Sequence, residues 1–302
     1  MPYLLLALLS LLWGSSFLLI AIATRGFDPV SFAFVRVSIG ALALWGIALA
    51  VERRWLRGGR LWLTLAAMAV FGQAIPFALL GDAARRVSSG DLALMMGAAP
   101  IFAFVLSRLI GEGPPWTMVS ALGLGIGLLG VVVCVGGPGG GDLAGRAEGF
   151  AASFFYAFGA TISRGASRAV GPSTAAAASM TLSSAALLVV WRLGGGSAAA
   201  LAAIPAPSLL AMAALGVFNT ALAYLIYFTL VLRMGATFAS LNNYVVPFIG
   251  LLLGALVLGE PIAVSAWAGL ALVIVGVVLT GRAAAPNRRG GSGPSLTPSR
   301  PS

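Results

Sequence analysis

Hydrophobic stretches of membrane-spanning length alternate with short polar or Gly- and Pro-containing segments along almost the whole chain. Each stretch comes close to the ~20 residues that an α-helix needs to cross the hydrocarbon core of a bilayer. Because unpaired backbone polar groups are costly in lipid, every stretch is predicted to be a helix. The pattern predicts ten transmembrane helices, at residues 3–24, 29–51, 61–81, 88–110, 115–136, 147–166, 173–193, 208–231, 236–258 and 262–281.

The composition also indicates lipid as the main solvent of the protein. Hydrophobic residues make up 60% of the 302 residues and charged residues only 9%, whereas about a quarter of a soluble domain is charged. The first stretch lacks the basic leading region of a signal peptide and is retained as a helix. The predicted fold class is therefore an all-α polytopic membrane protein.

The positive charges set the predicted orientation. All 18 basic residues are arginines, and with the N-terminus inside, twelve fall on the inner side, five fall on the outer side and Arg36 lies within a predicted helix. This bias favours cytoplasmic positions for both termini, although Arg85 and Arg86 lie on the outer side. The charges lie between helices and form no basic face, so nucleic acid is not an expected partner. The all-arginine usage suggests a GC-rich bacterial genome, and we expect a bacterial inner membrane location.

Two halves of the chain share a pattern of residues at nearly constant spacing. The matched pairs are Phe71 and Phe218, Arg86 and Arg233, Pro100 and Pro247, and Glu112 and Glu260. Two copies of five helices in series lie in opposite orientations, which is the inverted repeat of many secondary transporters. The predicted divisions are repeat 1 at 3–136, a Gly-rich linker at 137–146, repeat 2 at 147–281 and a disordered cytoplasmic tail at 282–302.

Four segments resemble EamA-type members of the drug/metabolite transporter superfamily. They are "LLWGSSFLLIAIATRGFDPVSFAFVR" (11–36), "AAPIFAFVLSRLIGE" (98–112), "VVPFIGLLLGALVLGE" (245–260) and "GLALVIVGVVL" (269–279). The resemblance covers residues 4–281 and includes similarity to bacterial amino acid and metabolite exporters. It implies ten helices, cytoplasmic termini and export or exchange of small metabolites, often amino acids, without determining the substrate.

The sequence offers no chemistry typical of an enzyme. It contains no histidine and no pair of carboxylates one turn apart within a predicted helix, so we expect no catalytic residues, no metal and no cofactor. The motif "GIGLLG" at 125–130 matches a dinucleotide fingerprint by spacing alone. It lies inside an apolar helix, where close helix packing is the better interpretation.

Polar and aromatic residues within the predicted helices are the candidates for a substrate cavity, because lipid cannot pair their polar groups. Each could instead connect neighbouring helices. Pro76, Pro100 and Pro247 are predicted to break or hinge helices near the midplane. The predicted substrate-binding residues are Trp13, Ser16, Phe17, Gln73, Phe77, Met95, Tyr156, Asn219, Tyr224, Tyr227, Asn243 and Tyr244.

Four of the charged residues in or beside the predicted helices are candidates for a specific role. Arg36 is either functional or extends its side chain outward to water or to helix carbonyls. Asp91 is expected to cap a helix, with proton coupling as the alternative. Glu112 and Glu260 precede the last helix of each half and are predicted to be structural caps; a gate contact is the alternative.

These features together predict a carrier that moves small amphipathic metabolites across the lipid bilayer by alternating access. Aromatic rings and amides suit a neutral or zwitterionic solute, so amino acid export is the first hypothesis. Drug efflux and sugar or nucleotide-sugar transport are alternatives, and a channel or a non-transporting scaffold is the alternative from another class. The expected partners are a small-molecule substrate and the bilayer. The sequence determines no oligomeric state and is compatible with a monomer.

Overall fold

The computed structural model describes residues 2–52, 56–111, 117–136, 142–234, 236–239 and 241–284. All regular elements in these ranges are helical, which confirms an all-α protein. In chain order the α-helices are α1 (Pro2–Ala23), α2 (Pro29–Val51), α3 (Gly59–Ala69), α4 (Ile75–Ala83), α5 (Ser89–Met96), α6 (Ala99–Leu109), α7 (Met118–Gly136), α8 (Leu143–Val170), α9 (Pro172–Leu193), α10 (Ala198–Ala202), α11 (Ala206–Gly216), α12 (Ala223–Met234), α13 (Ala236–Ala239), α14 (Asn242–Leu258) and α15 (Val264–Ala284).

Within the described residues, six helical stretches are long and apolar enough to cross a membrane, as a polytopic membrane protein requires. They are Pro2–Ala23, Pro29–Val51, Gly59–Ala83, Ser89–Leu109, Pro172–Leu193 and Ala206–Val231. The remaining predicted spans correspond to α7, α14 and α15, whose apolar stretches are shorter, and to α8. The count of ten crossings therefore stays a prediction.

Two short π-helical segments interrupt the third and eighth predicted spans. Val70–Ala74 joins α3 to α4, and Val217–Leu222 joins α11 to α12. Both begin at the valine of a Val-Phe pair, and these pairs are related by the spacing of the predicted repeat. A π-helical turn re-aims side chains within a helix and often marks a functional position. The inverted orientation of the two halves itself stays a prediction.

A carboxylate of the first half caps a helix of the second half. The backbone N–H groups of Ser173 and Thr174, in the first turn of α9, donate to Glu52 at 2.9 and 2.7 Å. Gly171 precedes this turn with φ of +89°, a conformation that favours glycine. The capped helix α9 packs along α2, so Glu52 holds two helices from different halves together.

Glycines bring α7 and α15 into close contact. A Cβ atom on Gly130 would lie 2.7 Å from the carbonyl oxygen of Gly269, and one on Gly123 would lie 2.8 Å from that of Gly276. Gly125 has no atom within 4 Å of the corresponding position. The glycines of the "GIGLLG" region thus serve helix packing, as small residues do in membranes.

Several predicted boundaries differ from the structure. The predicted linker ends at 146, but α8 begins at Leu143, and the predicted tail begins at 282, but α15 continues to Ala284. The predicted span 147–166 was also too short, because α8 extends to Val170. Glu112 and residues 285–302 lie outside the described residues.

Candidate functional site

A cavity of about 760 Å³ lies between the two halves of the chain. Its wall is formed by α1 to α6 with one π-helical segment from the first half, and by α8, α9, α12 and α14 with the other from the second. This volume falls within the usual range for small-molecule pockets. Among the residues whose side chains are described, none of α7 or α15 is in the wall, so the glycine-packed part of this pair lies outside the cavity.

Most of the residues predicted to bind substrate lie in this one wall. They are Trp13, Ser16, Phe17, Gln73, Phe77, Tyr156, Asn219, Tyr224, Tyr227 and Asn243. Met95 does not, because it is buried in the apolar core against Gly149, and its neighbour Met96 lines the cavity instead. Adjacent helical residues point about 100° apart, and here the rotation of α5 turns Met96 toward the cavity and Met95 into the core. Nothing is described of the Tyr244 side chain, and substrate binding by all these residues stays a prediction.

The three prolines take different positions. Pro100 lines the cavity in the first turn of α6, after the turn that separates α5 from α6. Pro76 is in the first turn of α4, behind the cavity wall. Pro247 does not break a helix, since it lies inside the continuous helix α14 and lines the cavity, and a hinge at this position stays a prediction.

An aromatic group lines one part of the wall. The ring of Trp13 on α1 lies 5.5 Å from that of Tyr227 and 6.4 Å from that of Tyr224, both on α12. Phe228 extends the group, at 5.5 Å from Tyr227 and 5.6 Å from Tyr224. Such rings offer a large apolar surface with polar edges for an amphipathic solute.

Both π-helical segments present a buried side-chain amide to the cavity. Gln73 donates to the hydroxyl of Ser179 at 2.8 Å, while its own Oε1 is buried without a partner among the described residues. Asn219 donates to the carbonyl oxygen of Leu12 and, at 3.2 Å, to the hydroxyl of Ser15. The two amides thereby connect each segment to a helix of the other half. Sequence alone marked them as polar but did not predict the π-helical turns that place them.

Arg36 is the buried cation of the cavity wall. Its side chain is only 7% exposed, and the guanidinium carbon lies 4.2 Å from the centroid of the Phe77 ring and 5.8 Å from that of Phe32. Nε and Nη1 have no hydrogen-bond partner among the described residues. These two atoms therefore bond no helix carbonyl, and the alternative that Arg36 extends outward to water does not fit its burial.

Apolar core packing covers one end of the cavity, here called the closed end, and exposed residues line the other, the open end. Phe17 and Phe77 of the wall belong to the largest apolar core cluster, together with Phe27 and Val87 of the loops before α2 and α5. At the opposite end the wall includes Arg168 near the end of α8, which is exposed. In the predicted orientation the closed end faces outward and the open end faces the cytoplasm.

An ionic network lies at the closed end. Arg86 contacts Asp82 at 3.0 Å, Asp142 at 3.2 Å and Glu148 at 3.8 Å, joining the loop before α5 to the start of α8. The hydrogen bond to Asp142 raises the pKa of Arg86, and the other two carboxylates act in the same direction. The backbone N–H of Ala144 lowers the pKa of Asp142, with Arg86 adding to the effect. The network therefore links the two halves at this end.

Glu260 and Asp91 lie at the same end, outside the large cavity. Glu260 was expected to cap the helix that follows it, but its carboxylate binds the first turn of α5 instead. Asp91 is in that turn, and the expectation that it is the cap is wrong, because the hydroxyl of Ser88 accepts from its backbone N–H at 3.0 Å. Both acids border a small cavity of about 130 Å³.

The sequence interpretation overlooked a polar face of α8. Ser163, Arg164, Ser167 and Arg168 line the cavity on the same helix as Tyr156. They follow Tyr156 at intervals of seven, eight, eleven and twelve residues, which is the spacing of one helical face. This periodicity could have identified them, and it explains why α8 is less apolar than the other long helices.

The family follows from comparison with known proteins. The sequence profile of the EamA-like transporter family matches residues 1–136 and again residues 145–282. The chain belongs to the EamA-like transporter family. The double match means that each half of this EamA-like protein carries one family domain, which confirms the family resemblance of the sequence.

Relatives in bacteria and archaea are similar over almost their whole length. The uncharacterized inner membrane transporter YedA of Escherichia coli (strain K12) is 27% identical over 282 residues, covering 90% of this chain and 87% of the relative. An uncharacterized transporter of Archaeoglobus fulgidus is 26% identical, covering 93% of this chain and 98% of that relative. The uncharacterized transporter YvbV of Bacillus subtilis (strain 168) is 26% identical, covering 91% of this chain and 90% of that relative. These similarities support an integral membrane transporter, in keeping with a bacterial inner membrane.

The fold is also found among solved structures. A crystal structure of another protein superposes with a TM-score of 0.63 at 19% sequence identity, covering 94% of this chain and 97% of that one. At this identity the match shows the fold alone.

Proposed function

We propose that this EamA-like transporter is a carrier that moves a small amphipathic metabolite, an amino acid foremost, out of the cell by alternating access. The cavity between the halves is the observation that carries this proposal. It combines aromatic walls, side-chain amides and one buried cation, the chemistry that binds a solute with both polar and apolar parts.

The asymmetry of the cavity ends supports alternating access. One end is closed by apolar packing and by contacts between the halves, while the other reaches the surface beside Arg168. In a carrier built from similar halves, rearrangement of the same elements opens the closed end and closes the open one. An open pore through the protein would favour a channel instead.

Counterflow in proteoliposomes tests the proposal. Vesicles loaded with an unlabelled amino acid should transiently accumulate the same labelled amino acid, because a carrier exchanges solutes one for one. Saturable exchange of drugs or sugars without any amino acid would favour the alternative transport substrates, and flux without counterflow would favour a channel. A scaffold would give no flux at all.

Two tryptophans provide matched variants. Trp13 belongs to the cavity wall, whereas Trp62 on α3 is 43% exposed and lies outside it. We expect Trp13→Ala to weaken the apparent affinity for the exchanged solute roughly tenfold, because an aromatic contact is lost. Trp62→Ala should leave exchange unchanged. Equal effects of the two variants would show that the cavity is not the transport site.

A further inference from the structure

We propose that Arg36 binds a carboxylate group of the transported solute, so that the substrate is a small carboxylate with an apolar body. This inference rests on the proposed transport function and specifies the chemical class of its substrate. Arg36 was the residue whose role the sequence left open.

The first argument is the uncompensated charge. A guanidinium keeps its proton under all ordinary conditions, and a buried charge at membrane depth is costly unless it is paired. Arg36 lines the cavity with 7% exposure, and none of the described residues in the wall is an aspartate or glutamate. A bound anion would supply the missing negative charge.

The second argument is the availability of donors. Nε and Nη1 are buried without partners among the described residues. The Phe77 ring lies against the guanidinium at 4.2 Å and holds it by a cation–π contact. Such a contact uses no N–H hydrogen bond, and the planar array of guanidinium donors matches the two oxygens of a carboxylate.

The third argument is the arrangement of groups around Arg36. The phenols of Tyr156 and Tyr224 are its electrostatic neighbours and lie beside each other. The hydrogen bond between the two phenols uses one hydroxyl proton and leaves the other free to donate to an anion. Tyr224 also contacts Trp13, so the aromatic group continues from the charged position to an apolar wall. A solute with a carboxylate at one end and an apolar side chain at the other fits this order.

Matched ligands test the inference on the wild-type protein. L-leucine, L-leucinamide and 4-methylpentanoate share one side chain; the second lacks the carboxylate and the third lacks the ammonium group. L-phenylalanine, L-phenylalaninamide and 3-phenylpropanoate form a second set. We expect both carboxylates of a set to compete for exchange or to bind the purified protein, and the amide to bind about 10- to 100-fold more weakly, the usual effect of losing charge-assisted hydrogen bonds.

Variants separate substrate binding from a structural role. Arg36→Gln should abolish the preference for the carboxylate over the amide, whereas Arg36→Lys should retain part of it, because the charge remains and the planar donor array is lost. Arg192→Gln is the control, since Arg192 also stacks on an aromatic ring, at 5.4 Å from Trp191, but is exposed and outside the wall. It should leave the preference unchanged.

The outcomes distinguish this inference from the proposed function. The assignment of Arg36 is wrong, while transport stands, if the wild-type protein exchanges amides or uncharged solutes as well as it exchanges carboxylates. The same holds if it exchanges other solutes but no carboxylate of either set. If Arg36→Gln weakens all three ligands of a set equally, Arg36 is structural. If no solute is exchanged at all, the transport function fails as well. Should Arg36→Gln not fold, the preference of the wild-type protein for carboxylates over amides and the Arg36→Lys variant still test the assignment.

Discussion

Glu260 holds the first turn of α5 although Ser89 lies 171 residues before it in the chain. Its Oε1 accepts from the backbone N–H of Ser89 at 2.9 Å, and its Oε2 accepts from the Ser89 hydroxyl at 2.8 Å and from the backbone N–H of Gly90 at 3.2 Å. A carboxylate at a helix N-terminus satisfies free N–H groups and complements the helix dipole. One residue thereby joins the two halves at the closed end of the cavity.

We expect Glu260→Ala to lower the free energy of unfolding by about 2 kcal/mol, because three donors lose a charged acceptor. Glu260→Gln keeps one acceptor oxygen and should cost about half as much. Thermal unfolding of the purified protein in detergent measures both. Glu52→Ala should destabilise similarly, since Glu52 binds α9 in the same way; unchanged stability in all three variants would contradict a capping role.

The glycines of α7 give a second prediction, with a control on the same helix. Gly130→Ala should destabilise the protein by roughly 1–3 kcal/mol, because its Cβ would lie 2.7 Å from Val273 N and from the Gly269 carbonyl oxygen on α15. Gly125→Ala meets nothing within 4 Å and should be neutral or stabilising by up to ~1 kcal/mol. Thermal unfolding compares the pair, and equal effects would exclude close packing as the reason for these glycines.

The predicted orientation can be tested with single cysteines. Cys134 is the only cysteine, so Cys134→Ala provides the background for Arg85→Cys and Arg168→Cys, at two exposed positions. We expect a membrane-impermeant thiol reagent to label Arg168→Cys from the cytoplasmic side and Arg85→Cys from the opposite side. Labelling of both variants from the same side would contradict the predicted arrangement of the helices. Labelling of each variant from the side opposite to the expected one would show that the predicted orientation is reversed.

The features that could be predicted from the sequence are those that depend on the local pattern of apolar and polar residues. Helix positions follow from apolar runs, and most cavity residues follow from a simple rule, since polar side chains at membrane depth must face protein rather than lipid. Trp13, Gln73 and Asn219 were found in this way, and the structure brings them to one wall.

Features that depend on partners distant in the chain were missed or misassigned. The sequence placed Glu260 before α15 and suggested that it caps that helix, but only the tertiary structure shows the free N–H groups of Ser89 and Gly90 beside it. Met95 and Met96 look alike in sequence, and the exact rotation of α5 decides which one reaches the cavity. Pro247 was expected to break a helix, yet α14 continues through it.

Access to the cavity from both sides tests alternating access most directly. Ser16 is buried and lines the cavity, so Ser16→Cys in the Cys134→Ala background places one thiol at the proposed binding site. With a membrane-impermeant thiol reagent applied to either side of oriented proteoliposomes, a carrier should be labelled and its counterflow inhibited from both sides, and a bound substrate should protect the thiol. Labelling from one side only, or no protection by any exchanged solute, would contradict transport through this cavity.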